Sequence, residues 1–296
     1  MKQESLAVLL TCFNRREKTL SCLRAIYNQE LTEAVSLLVY LVDDGSTDGT
    51  AVAVKEAFPE VNIIYGSGNL FWNGGMRLAF AEASKQAYDF YLWLNDDTHL
   101  YPDAICRLLD TAHLLYERGK SRSIVIGSTQ DPKTGALTYG GIRQRCWWRP
   151  LQFSLEVPSD QVKACDTMNG NCVLLSKAVI EVVGNLDPAF DHDLGDYDYG
   201  LRAKRQQCSI WITPGYIGTC PPNPHSSRMD KSLSSIDQRL SKVNHPKGLA
   251  LDNVTLHPFT EWKVFSQRHG GLLWPIFWLL PYRRLLTSLF AFKGSN

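Results

Sequence analysis

Three groups of side chains in this sequence have the types and spacing for chemistry. The first is Asn95-Asp96-Asp97, directly after the apolar run Tyr91-Leu92-Trp93-Leu94. A buried strand that ends in adjacent carboxylates carries negative charge into a crevice with little neutralisation of its own. A hard cation bridging to phosphates would supply it, since Mg2+ and Mn2+ sites commonly use one or two protein carboxylates plus phosphate oxygens. The plainer reading of the same residues is a turn that caps a helix starting near Asp103. The second group is Asp187, Asp191, Asp193, Asp196 and Asp198, with His192 among them. So many neighbouring carboxylates must be solvated, metal-bound or partly protonated. At the start of a helix containing Arg202, Asp198 can pair with Arg202 one turn on while Asp196 faces the cleft as a candidate general base. Asp191 and Asp193 read as a solvated loop.

The third group runs from Asp43-Asp44-Gly45-Ser46 to Thr50. A carboxylate at a strand's end can accept from a ribose diol or a base N–H, and the Gly and Ser residues permit a tight turn; a turn that only caps the next helix is equally open. An EF-hand fails, because counting from Asp44 the twelfth position is Lys55 where a bidentate Glu is required. The segment Gly66-Ser67-Gly68-Asn69-Leu70-Phe71 puts Phe71 where a dinucleotide fingerprint needs its third glycine, and no P-loop occurs. Its glycines, with Gly74 and Gly75, would instead let backbone approach a ligand, to which Trp72 and Asn73 offer an apolar face and an amide suited to a sugar.

These groups need a scaffold that gathers them, and the first half of the chain reads as one. Residues 6–10, 37–42, 61–65 and 90–94 have strand patterns, and 16–28, 50–58 and 76–87 have helical ones. The alternation predicts a doubly wound, mostly parallel α/β sheet, in which ligands bind beyond the carboxyl ends of the strands. Thr11 to Arg15, the Asp43 segment, the Gly66 segment and Asn95 to Asp97 all follow such ends. Residues 124–175, with Trp147-Trp148, read as less regular apart from a strand at 172–175, and form the acceptor side. A short helix at 199–206, a strand at 209–212 and a Pro-rich loop at 219–252 follow.

With 44% apolar and 21% charged residues over 296 positions, the composition is that of a globular chain with one catalytic unit. Thirty-one Lys and Arg against 30 Asp and Glu give no global field for nucleic acid. The eight cysteines show no CxxC pair and read as free thiols. The apolar run at 6–10 is too short for a signal peptide, so a cytoplasmic protein is expected. Residues 272–280 are too few to span a membrane. Tyr282, Leu285, Leu286, Leu289 and Phe290 fall at helical spacing behind Arg283 and Arg284. That suits an amphipathic segment at the inner membrane surface, and equally a helix packed on the core or across a homodimer.

Taken in order, Thr11-Cys12-Phe13-Asn14-Arg15, the Asp43 to Thr50 loop, Gly68-Asn69 with Gly74-Gly75, and Asn95-Asp96-Asp97 resemble the family 2 glycosyltransferases of GT-A fold, in particular their rhamnosyltransferase-like subgroup. The resemblance implies a GT-A catalytic domain over residues 1–220, its nucleotide-sugar half at 1–120 and its acceptor half at 121–220, followed by a loop and a helical segment at 221–296. It implies donor contacts from Thr11, Asn14, Arg15, Asp43, Asp44, Asn69, Trp72, Asn73, Gly74, Gly75 and Asp96, and metal ligation chiefly by Asp97. Gly195-Asp196-Tyr197-Asp198 looks like the family's Glu-Asp-x-Asp, whose second acid, here Asp196, is the base; Gly195 and Asn95 depart from the pattern. His225 is a candidate further metal ligand, with His245, His257 and His269 competing. Asp198, Arg202, Trp147 and Trp148 are expected on the acceptor side. The activity implied is inverting transfer from a dTDP- or UDP-sugar, with dTDP-rhamnose favoured, to a glycan or polyprenyl-diphosphate-linked acceptor. A glycosidase has no use for the nucleotide loop. A non-catalytic carbohydrate-binding protein is the rival that Gly195 and Asn95 keep open.

Overall fold

A computed structural model describes residues 3–191, 194–222 and 259–282. Strands β1 (Glu4–Cys12) and β2 (Val35–Asp43) run parallel, with β3 (Asn62–Tyr65) beyond β2 and β4 (Phe90–Leu94) on the other side of β1. Helices α1 (Arg16–Tyr27), α2 (Thr50–Ala57), α3 (Phe71–Ala83) and α4 (Ala104–Glu117) lie along this half of the chain. Successive strand side chains point to opposite faces. Leu6, Val8 and Leu10 therefore enter a core with residues of α1, α2 and α4, while Ala7 and Leu9 enter a second core with Met76 and Phe80 of α3. Burial on both faces is why 6–10 reads as an unbroken apolar run.

The 124–175 stretch is more regular than its sequence suggests. It holds most of β6 (Ser123–Gln130), then β7 (Leu137–Tyr139), β8 (Gly141–Cys146), β9 (Arg149–Leu155), β10 (Lys163–Ala164), β11 (Thr167–Met168) and the start of β12 (Cys172–Ser176). The large sheet has the order β10-β13-β6-β12-β4-β1-β2-β3, where β13 spans Ser209–Thr219 and β5 (His99–Leu100) pairs with it. Strand β12 is antiparallel to β4, so its first residue Cys172 stands beside Leu94, the last of β4. One reversed strand thus brings the residues before it, Gly170 and Asn171, to the edge where the parallel strands end. Helices α5 (Lys177–Val183) and α6 (Gly195–Arg205) cover the second core through Val179 and Tyr199. The GT-A fold is the result, and α3 and α6 each begin earlier than the residues at 76 and 199 that periodicity marked.

The chain forms two compact units, one of residues 1–143 with 155–222, the other of 144–154 with 223–296. In the second unit, α7 (Phe259–His269) and α8 (Trp274–Leu279) meet through Trp262 Nε1, which donates to the Trp278 carbonyl at 3.2 Å. Phe153 and Phe265 pack edge to face at 6.4 Å. No helix among the described residues is long and apolar enough to cross a membrane. The expected helix after Pro281 lies outside the described residues.

Candidate functional site

Strands β1, β2 and β3 end level, Cys12 beside Asp43 and Asp43 beside Tyr65, so the loops after them meet. Asn14 joins two of these loops. Its N–H donates to Ser46 Oγ at 2.9 Å, and its Oδ1 accepts from the Thr47 N–H at 2.7 Å. Buried Asp43 accepts from the Ser46 N–H at 2.8 Å. Asp44 accepts from three backbone donors, Gly68 and Leu70 at 2.8 Å and Phe71 at 3.2 Å. With its carboxylate so engaged, Asp44 shapes the loop at 66–71. A Cβ at Gly66 would stand 2.5 Å from Asp44 Oδ1, which accounts for the glycine.

The segment from Asn69 to Gly75 separates into exposed and structural residues. Asn69 is exposed. Asn73, expected on the donor, is fully buried: its Nδ2 donates to the carbonyls of Asp187 at 3.0 Å and Phe190 at 2.5 Å, and its N–H to that of Asp191 at 3.0 Å. It ties α3 to the acidic loop. The small residues also have a packing reason: a Cβ at Gly75 would lie 2.1 Å from Thr11 Oγ1, and one at Gly74 3.2 Å from Leu70 Cβ. Gly195 has a reason as well, because a Cβ there would stand 2.1 Å from Asn73 Oδ1.

The acid turn after β4 is neutralised from α1. Arg15 Nη1 spans the pair, 2.9 Å from Asp96 Oδ1 and 3.1 Å from Asp97 Oδ2, and Lys18 Nζ lies 3.8 Å from the same Asp97 oxygen. This corrects the expectation of an acid pair without its own counter-charge. Arg15 at the N-cap of α1 and Lys18 in its first turn were the legible signal. Thr19 Oγ1 donates to Asp96 Oδ2 at 3.4 Å, and Cys220 Sγ donates to Asp97 Oδ1 at 3.5 Å. Burial pushes the Asp96 carboxyl up to about 6 against the pull of Arg15. Burial, then the Asp97 charge, pushes the Cys220 thiol up to about 12.

Asp97 is the partly exposed carboxylate of the turn, and as a hard oxygen donor it fits an Mg2+ or Mn2+ ion whose other ligands are diphosphate and water. Among the described residues no three His, Cys, Asp or Glu side chains are grouped to hold an ion by themselves. His225 lies outside the described residues.

One indole links the acid turn to the candidate base. Trp72 Nε1 donates to Asn95 Oδ1 at 2.7 Å, and a Cβ at Gly170 would meet Trp72 Cη2 at 2.4 Å and Asp196 Cβ at 3.4 Å. The Gly170 N–H donates to Asp196 Oδ2 and the Tyr197 N–H to Asp196 Oδ1, each at 2.8 Å. Asp196 is half-buried in the first turn of α6, which Leu194 enters at φ 68. Asn14 at φ 51 and Phe71 at φ 53 flank the same crevice, and left-handed non-glycine backbone of this kind concentrates at functional sites.

Asp198 and Arg202 pair as their spacing predicts, at 2.7 Å, and the pair ties α6 to the segment at 183–185. Asp198 is fully buried, and Arg202 also donates to the carbonyls of Val183 and Asn185 at 3.2 Å. Trp147 and Trp148 are exposed at a hairpin tip in the second unit, edge to face at 5.8 Å. Gly170, Asn171 and Cys220 were not singled out from the sequence; the buried run at 172–175 directly after Gly170-Asn171 was the available signal.

The model of Glycosyl transferase family 2 matches residues 7–183. Over 281 residues the chain is 21% identical to the N-acetylglucosaminyl-diphospho-decaprenol L-rhamnosyltransferase of Mycobacterium tuberculosis, covering 86% of this chain and 81% of the relative. It is 32% identical over 105 residues, 35% of this chain and 24% of the relative, to an N-acetylglucosaminyltransferase of Rhizobium leguminosarum bv. viciae. The mannosyltransferase PcManGT of Pyrobaculum calidifontis, solved with GDP-Man and Mn2+, superposes with a TM-score of 0.55 at 13% identity, over 100% of this chain and 80% of that one. TarS 1–349 of S. aureus, solved with UDP, gives 0.54 at 13% identity over 90% and 70%. The chain spans 42% of the longer TarS chain, with a TM-score of 0.52 at 14% identity over 90% of this chain.

Proposed function

This chain belongs to Glycosyl transferase family 2, and from that premise we propose that it transfers a hexose from a nucleoside diphosphate to an acceptor hydroxyl with inversion. The observation that carries the reading is the Trp72 bridge. It sets the Asp196 carboxylate and the acid turn on either side of one indole, in the crevice where the strands end. Asp196 takes the proton of the acceptor hydroxyl as its oxygen attacks the anomeric carbon, and a single displacement inverts that carbon. The 43–50 and 66–71 loops, interlocked by Asn14 and Asp44, receive the nucleotide, with exposed Asn69 and Arg15 at the rim. Asp97 would hold a divalent ion, which would supply positive charge for the departing diphosphate.

The mycobacterial relative's name, an L-rhamnosyltransferase acting on N-acetylglucosaminyl-diphospho-decaprenol, supports a rhamnosyl donor, for which dTDP-rhamnose is our choice, and a polyprenyl-diphosphate-linked glycan acceptor. A peripheral position at the cytoplasmic membrane face is consistent with the second unit, where Leu272 is 99% and Ile276 55% exposed.

A thermal-shift panel of UDP, dTDP, GDP and their sugars, each with and without Mg2+ or Mn2+, tests the donor site. A shift selective for one nucleotide is expected. No shift from a folded protein moves the reading to a non-catalytic carbohydrate-binding protein.

A further inference from the structure

We infer that Arg15 is a resident cation that competes with a divalent metal ion for Asp97, so that the metal binds well only when a nucleotide diphosphate draws Arg15 away. The inference rests on the donor site proposed above. Of the two carboxylates, Asp96 is enclosed, with Arg15 on one oxygen and Thr19 on the other. Asp97 has Cys220 on Oδ1, which leaves Oδ2 as the edge where an ion could bind. That oxygen is the one Arg15 Nη1 holds at 3.1 Å, with Lys18 Nζ at 3.8 Å.

Charge decides the consequence. Two cations balance two carboxylates, so in the nucleotide-free protein an arriving divalent ion meets a neutral cluster and must displace a guanidinium hydrogen bond. Arg15 and Lys18 side chains are 42% and 54% exposed, so both can swing to a new partner at little packing cost. A diphosphate offers that partner, because a planar guanidinium pairs with phosphate oxygens as it does with carboxylates. Once Arg15 turns to phosphate, Asp97 Oδ2 keeps only the longer Lys18 contact at 3.8 Å, and the cluster has gained negative charge. Metal and nucleotide then bind with positive coupling, and Arg15 is the element both of them move.

The test measures Mn2+ binding to nucleotide-free protein by electron paramagnetic resonance, for wild type, Arg15→Gln and Arg15→Lys. Loss of a partly exposed ion pair predicts about two- to fivefold tighter Mn2+ binding in Arg15→Gln, with Arg15→Lys nearer wild type. Adding the nucleoside diphosphate from the thermal-shift panel should tighten Mn2+ binding in wild type and do so less in Arg15→Gln. Equal Mn2+ affinity in folded wild type and Arg15→Gln, checked by circular dichroism, overturns the inference. If wild type binds no nucleotide at all, the donor-site reading fails instead, whatever the Mn2+ result.

Discussion

Trp72 Nε1 donates to Asn95 Oδ1 at 2.7 Å while its ring closes on Gly170, whose N–H holds Asp196. This contact fixes where the base stands relative to the acid turn. Trp72→Phe removes the N–H donor together with the outer indole atoms Cζ2 and Cη2 that meet Gly170, leaving Asn95 Oδ1 without this partner. A buried polar atom left unmatched costs about 1–3 kcal/mol. The expected outcome is a turnover number lowered about tenfold with the fold retained by circular dichroism. Wild-type turnover in this variant would remove Trp72 from the positioning of the base.

Asp196 and Asp198 are two residues apart and are expected to fail in different ways. Asp196→Asn should abolish transfer while leaving donor binding near wild type, at a stability cost of about 1–3 kcal/mol because the amide oxygen can accept from only one of the Gly170 and Tyr197 N–H groups. Arg202→Ala leaves Asp198 buried without its 2.7 Å partner and should cost about 3 kcal/mol. Urea denaturation reads the second effect and sugar-nucleotide turnover the first. Near-wild-type turnover in Asp196→Asn would overturn its assignment as base.

Buried Asp96 gives a pH signature. Its carboxyl stands at about 6 against an ordinary 3.8, raised chiefly by burial. The native state therefore holds more protons than the unfolded state between those values. By linkage, this residue's contribution is fully favourable below about pH 4 and is lost as pH rises through about 6. Asp96→Asn has no such titration. Measured with chelator present, the variant's stability relative to wild type should rise by about 2 kcal/mol from pH 4 to pH 7; a constant difference would show that Asp96 ionises in the folded protein as it does in the unfolded one.

The sequence showed the site's acids more clearly than their environment. Asn95 to Asp97, Asp196 and the Asp198–Arg202 spacing were legible because strand ends and helical periodicity are local patterns. The reversed strand β12 was found as a strand, but its direction depends on pairing with β4 and β6, which no local pattern records. Gly170 and Asn171 were therefore missed. The packing partners of Asn73 and Gly75, the carbonyls of Asp187 and Phe190 and the Thr11 side chain, were not legible either, because an amide and a glycine carry no local mark of what they pack against. The counter-charge from Arg15 and Lys18 was missed for a related reason, Arg15 being 81 positions from Asp96 in the chain.

Lipid binding can be tested on the intact protein. Residues 262–296 contain no Asp or Glu but include Lys263, Arg268, Arg283, Arg284 and Lys293, and Leu272, Leu273 and Ile276 are exposed. Basic residues near an anionic surface contribute about 1 kcal/mol each. Co-sedimentation with phosphatidylglycerol vesicles is expected, weakened by salt and by Leu272→Glu with Ile276→Glu. Binding that ignores both changes would point away from this face.

Gly195 and Asn73 make a steric pair that explains a departure from the family pattern. The Gly195 Cβ position lies 2.1 Å from Asn73 Oδ1 but 3.5 Å from Asn73 Cβ. Gly195→Ala must therefore push either α6, which carries Asp196, or the Asn73 amide that holds the 187–191 loop. Overpacking of this kind costs about 1–3 kcal/mol. Asn73→Ala alone loses the loop's ties, so it too should destabilise. In the double variant the new methyl meets only ordinary contact, so the clash component disappears and the two losses should be less than additive by about 1 kcal/mol in a double-mutant cycle. Strict additivity would mean that the Asn73 side chain moves aside freely, and that glycine at 195 has no steric cause.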